Sequence, residues 1–185
     1  MSKDKLNTLS KTSVVLHWLV AITIMCLLGV GIYMEEFKAY GLYKIHKSVG
    51  ILIFVVILGR VIWRLKQGWP EPVNKQHAHE MRLARISHWV LLIGSVLFPI
   101  SGMLMSAMGG HGLPIFGFEL LGPNIVNGER APINADLASI GSSIHYWLGW
   151  IMLACIALHI TGALKHHFVY KDGTLKRMLG KDIAE

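Results

Sequence analysis

Four histidines sit where an imidazole is costly to keep. His145 and His159 lie in the apolar run from about Ile144 to Leu164, which carries no acidic or basic side chain. At about 1.5 Å per residue that run is long enough to cross a bilayer core of about 30 Å as a helix. The two imidazoles are fourteen residues apart, about 21 Å along a helix and about 40° short of four whole turns. They therefore point the same way at two depths. His17 and His46 open two further apolar runs. Polar side chains at membrane depth usually face a bundle interior or a pathway, and imidazole ligates haem iron from either side. Four such histidines at two levels are what two bis-imidazole haems need. Closing both axial positions favours electron transfer over oxygen binding.

The elements that must position them read as membrane helices. Hydrophobic residues make up 53% of the 185 and charged residues 16%, with mean hydropathy +0.49. The apolar residues come in blocks of about twenty, which a soluble domain of this size does not require. We expect an all-α fold: an integral membrane four-helix bundle holding two b haems, with residues 1–185 as a single transmembrane domain. The helices are expected at about 14–34, 44–64, 86–108 and 144–166, the third kinked at Pro99. Residues 1–13 are polar, with Lys3, Lys5 and Lys11, and read as no signal peptide. The segment Leu65–Leu83, with Pro70, Pro72, His77 and His79, reads as a polar loop, and 109–143 as a longer loop rich in Gly and Pro. Cys26 and Cys155 fall in apolar runs and read as small core residues; without a C-x-x-C-H motif, haem would be held non-covalently.

Charge sets the orientation. The basic residues sit at the ends of apolar runs, so the pI of about 9.5 reflects topology rather than nucleic-acid binding. Fourteen of the 18 Lys and Arg fall in the N-terminus, the second loop and the C-terminal tail. The other side holds Lys38, Lys44, Lys47 and Arg130. The positive-inside rule then puts both termini in the cytoplasm. His17 and His159 share the inner level, and His46 and His145 the outer.

Small residues accompany the histidines. Ala21, Gly50 and Gly149 lie four residues beyond His17, His46 and His145, and Gly162 three beyond His159. Such positions share a helix face, so they either clear space for a macrocycle or pack helices closely. Arg60 lies fourteen residues beyond His46 at the inner level, and Lys47 follows His46; each is a propionate contact or a snorkelling cation. His88 also lies at the inner level, and spacing alone does not choose between it and His17. His77, His79 and His111 read as loop residues, and His166 and His167 as interface anchors.

The chain resembles the bacterial cytochrome b561 proteins. The resemblance is carried by Leu16-His17-Trp18, by Ile45-His46-Lys47-Ser48-Val49-Gly50, by the His145 and His159 pair, and by His166-His167-Phe168 with Lys171-Asp172-Gly173-Thr174-Leu175. It implies a bacterial inner-membrane, multi-pass bundle with two haem b groups. The iron ligands it implies are His17 and His159 (inner) and His46 and His145 (outer), which selects His17 over His88. It also implies electron exchange with the quinone pool, with ubiquinone as acceptor. One member type oxidises superoxide at the outer face; others are non-catalytic haem anchor subunits of hydrogenase or formate dehydrogenase complexes. The loop 109–143 is where the chain looks least like the superoxide-oxidising type.

Overall fold

The computed structural model describes residues 8–70, 72, 73 and 78–183; Lys3, Lys5, Lys75 and His77 lie outside them. The all-α membrane bundle expected from the apolar blocks is the fold. Helix α1 spans Lys11–Phe37, α2 Tyr43–Gln67, α3 Ala78–Met108 and α4 Ala135–Phe168, with a short α5 at Thr174–Met178. All four long helices are long and apolar enough to cross a membrane. They are apolar on every side, so Val15, Ile22, Val55 and Ile151 remain exposed on the outside of the bundle, as lipid-facing residues do.

The helices run past their apolar stretches because capping chemistry, not hydropathy, sets their ends. The Ser10 side chain accepts the Ser13 N–H at the start of α1, and Lys38 in the left-handed region (φ 51°) closes it. Gly68 (φ 76°) ends α2 with its N–H on the Arg64 carbonyl. Helix α4 starts at Ala135 rather than near 144, because the Asn134 side chain accepts the Leu137 N–H and Asp136 sits in the first turn, where the helix dipole favours an anion. The expected loop 65–83 is shorter, because α3 is already helical at Ala78. Its polar residues extend α3 outward, and Glu80 accepts hydrogen bonds from Lys165 (2.8 Å) and Tyr170 (2.9 Å).

The 109–134 connection is not irregular. Strand β1 (Leu113–Ile115) pairs antiparallel with β2 (Phe118–Leu121), and β3 (Ile125–Val126) with β4 (Glu129–Arg130). These two hairpins add short strands to the otherwise helical fold. Asn124 pins them to the end of α3: its N–H donates to the Gly110 carbonyl and its side chain to Ala131.

Val20, Ile24 and Leu28 of α1, Ile53 and Ile57 of α2, and Met152 of α4 form the core. Helices α3 and α4 approach closely at two glycines. A Cβ on Gly94 would run into the Met152 sulphur, and one on Gly141 would lie 2.7 Å from the Met105 backbone nitrogen.

Candidate haem sites at the two ends of the bundle

Helix α4 projects His145 and His159 into the bundle, and each meets an imidazole from another helix. The His46 and His145 ring centres are 6.4 Å apart; those of His17 and His159 are 6.3 Å apart. A metal bound by two opposed imidazoles, each bond about 2.0–2.1 Å with its nitrogen about 1.1 Å from the ring centre, separates the centres by roughly 6.2–6.4 Å. Both pairs meet that requirement.

At the His46 end, α3 supplies the supports though it supplies no member of the pair. His145 Nδ1 donates to the Phe98 carbonyl at 3.0 Å and lies 3.1 Å from Ser101 Oγ. A carbonyl only accepts, so Nδ1 carries the proton and Nε2 is left as the free lone pair, the arrangement that outer-shell partners impose on metal-binding histidines. The Phe98 ring stacks on His145 at 4.4 Å and 17°. Gly102 lets the ring lie close: a Cβ there would be 3.0 Å from His145 Cε1. His46 Nδ1 is buried with no hydrogen-bond partner in the fold, a polar atom the protein alone does not satisfy. A cavity between the two rings is lined by Ile24, Leu27, Gly50, Ile57 and Phe98.

The companion glycines separate into two roles. Gly50 and Gly162 meet nothing within 4 Å, so they are not close-packing positions, whereas Gly149 packs on the Phe98 ring at 3.6 Å. Clearance beside His46 and His159 is what a flat macrocycle needs.

At the other end three imidazoles converge. His88 lies 5.4 Å from His159 at 67°, nearer than His17 but closer than two opposed rings on one metal allow. Its ring stacks on Trp69 (5.6 Å, 12°), which packs in turn on Trp89. Arg60 Nη2 donates to His17 Nδ1 at 3.3 Å. Arginine only donates, so this contact makes Nδ1 the acceptor, opposite in polarity to His145. Trp18, beside His17, donates its indole N–H to the Met178 carbonyl at 2.8 Å, tying α5 under this end. The turn before α5 is held by Asp172, which accepts from His166 Nδ1 (2.6 Å) and from the Thr174 N–H (2.9 Å). Burial opposes ionisation of Asp172, but those hydrogen bonds outweigh it and hold its pKa below 3.8.

Lys47 is half-buried and shares the His46 end with loop residues. Arg130 Nη1 lies 3.2 Å from His111 Nδ1; partial desolvation, then the charges of Lys47 and Arg130, lower the His111 pKa below 6.5. Among the described residues neither Lys47 nor Arg130 pairs with a carboxylate. Phe98, Ser101 and Gly102 were not marked by sequence, since nothing in helical spacing ties α3 to a histidine on α4.

The chain matches the family model for prokaryotic cytochrome b561 over residues 9–181. It is 34% identical over 178 residues to cytochrome b561 homolog 2 of Escherichia coli (strain K12), spanning 94% of this chain and 92% of that protein. It is 32% identical over 170 residues to a protein of Yersinia pestis described as probable superoxide oxidase CybB, spanning 90% and 92%. Cytochrome b561 homolog 1 of Escherichia coli (strain K12) is 29% identical over 179 residues, spanning 94% and 98%.

Proposed function

This chain belongs to the prokaryotic cytochrome b561 family of haem-binding membrane electron-transfer proteins, and from that premise we propose that it moves electrons between an outer-face donor and the quinone pool, with ubiquinone as acceptor. Two imidazole pairs at opposite ends of α4, with ring centres 6.3 and 6.4 Å apart, carry the proposal. His46 and His145 hold the outer haem b, and His17 and His159 the inner one. When bound, each haem supplies a one-electron iron couple. The paired imidazoles would hold it from both helices, and Phe98 and Ser101 fix the ligating face of His145.

The cations complete the sites. Arg60 leaves His17 Nδ1 for an inner propionate, which frees His17 to ligate in the same tautomer as His145. Lys47 takes an outer propionate, beside Arg130 and His111. With both termini in the cytoplasm, the basic inner flanks lie where the positive-inside rule puts them.

Superoxide is the proposed donor. One relative bears the description of a probable superoxide oxidase, and Lys44 and Lys47 flank His46 as local attraction for a small anion. That face as a whole gives no long-range steering, because its four basic residues are outnumbered by Glu35, Glu36, Glu119, Glu129 and Asp136. Stopped-flow haem reduction tests this directly. Lys44→Gln with Lys47→Gln should slow reduction by superoxide at low salt and less so at high salt, because exposed charges are screened over about 8–10 Å. The salt dependence of reduction by a neutral quinol should not change, because loss of the Lys47 contact to a propionate acts on both donors alike. A wild type that superoxide does not reduce rules out this donor, and co-purification of a stoichiometric partner would then favour a haem anchor subunit.

A further inference from the structure

The β1–β2 hairpin is the least polar part of the connection between α3 and α4. From Gly112 to Val126 the only charged side chain is Glu119. Phe116, Phe118 and Leu120 are 64%, 68% and 58% exposed, a large apolar surface for a loop between spans.

Its depth is fixed by α2. Ser48, fully buried, accepts the Phe116 N–H at 3.0 Å and lies 3.2 Å from the Pro114 carbonyl. Ser48 is five residues into α2, about 7 Å along its axis, two residues deeper than His46, and it opens the uncharged stretch between Lys47 and Arg60. The hairpin tip thus folds back from the helix ends to the level where the apolar part of a membrane span begins. The Ser48 hydroxyl supplies the partner that the turn's backbone N–H needs at such a depth.

The turn itself bears a cost that a water-exposed loop avoids. Both hairpins have two-residue loops with positive φ at each residue. The second uses Asn127 (φ 53°) and Gly128 (φ 82°), the pair suited to that geometry; the first uses Phe116 (φ 44°) and Gly117 (φ 94°). A bulky residue in the left-handed region is an outlier, whereas asparagine is favoured there. Strain of this kind persists where the side chain has a use.

We propose that the β1–β2 hairpin is a re-entrant membrane anchor, with Phe116, Phe118 and Leu120 inserted at the headgroup–acyl boundary of the leaflet at the His46 end. Strand β1 packs against α2, itself a candidate membrane span. Its composition, aromatic and aliphatic with one charge, suits that layer.

Nitroxide labelling of the full chain in nanodiscs of phosphatidylethanolamine and phosphatidylglycerol tests it. The label is placed at Phe118→Cys in a Cys26→Ala, Cys155→Ala background, with Val55→Cys as the lipid reference and Lys171→Cys as the aqueous one. The relative accessibility to oxygen and to a water-soluble nickel chelate should resemble Val55. Adding Phe116→Asn, which relieves the turn and removes the apolar tip, should raise nickel accessibility at position 118 at least severalfold while the haem spectrum is retained. A label at 118 as open to nickel as Lys171 overturns the proposal. So does a label sheltered from both reagents, which would place the hairpin under a second copy or another protein. An unchanged profile in the Phe116→Asn variant overturns the role given to Phe116.

Discussion

His145 donates its Nδ1 proton to the Phe98 carbonyl at 3.0 Å, and through that one bond α3 governs how an imidazole on the neighbouring α4 presents itself. The candidate site at the His46 end is thus a property of three helices: α2 and α4 bring the imidazoles, and α3 fixes the tautomer and tilt of one of them. Outer-shell contacts of this kind commonly weigh nearly as much as the ligands.

The ring pairs define which variants should share a phenotype. His46→Ala and His145→Ala should each leave one haem per chain, and the same one; His17→Ala and His159→Ala should each leave the other. Pyridine haemochrome quantification with low-temperature spectra of the four variants measures this. Loss of the same haem from His17→Ala and His46→Ala would contradict the pairing.

His88 should behave differently from its neighbours. At 5.4 Å from His159 it is closer than an opposed pair on one metal, whereas His17 stands at the opposed distance of 6.3 Å, so His88→Ala should retain two haems per chain. Its stacking on Trp69 places it beside the inner pair, so redox titration should show a shifted midpoint for one haem only. A variant that loses a haem, with His17→Ala keeping both, would reverse the roles of His17 and His88.

Gly102→Ala should disturb the outer site alone. The added methyl would stand 3.0 Å from His145 Cε1, and the bond to Phe98 opposes retreat of the ring. The outer haem should dissociate faster, at least severalfold in transfer of haem to apomyoglobin, while the inner one is unaffected. Gly141→Ala is the contrasting case: its methyl meets the Met105 backbone and should destabilise the α3–α4 pair by about 1–3 kcal/mol, the usual cost of overpacking, seen as earlier thermal loss of both haems.

The Asp172 turn should carry a pH dependence of known sign. Its folded pKa lies below the ordinary 3.8, so its stabilisation is fully present above that value and is lost as pH falls through the folded pKa. Hydrogen exchange of the amides at 174–179 should accelerate in that acid window beyond the intrinsic trend. Asp172→Asn should show fast exchange already at neutral pH and no extra loss on acidification.

Much of this architecture is legible in the chain as written. Apolar blocks mark the spans because lipid leaves a helix few alternatives, and counting along α4 is enough to put His145 and His159 on one face. Hydropathy does not show the start of α4, because it reports where a helix meets lipid, whereas Asn134 and Asp136 begin the helix ahead of its apolar run. The Asn127-Gly128 turn was a readable hairpin signal. Phe116-Gly117 was not, since phenylalanine is poorly suited to that geometry. The Phe98 carbonyl, the Arg60 contact with His17 and the approach of His88 to His159 all depend on how helices pack sideways, and residue spacing along one helix carries no information on that.

His145 and His159 stand on a single uninterrupted helix, so the vertical interval between the two sites is set by intrahelical hydrogen bonds and not by contacts between helices. In a thinner or thicker bilayer, helices adapt mainly by tilting or by deforming the lipid around them. The bundle can lean without stretching that interval. Transfer between its ends should therefore proceed at nearly the same rate in short-chain and long-chain lipids.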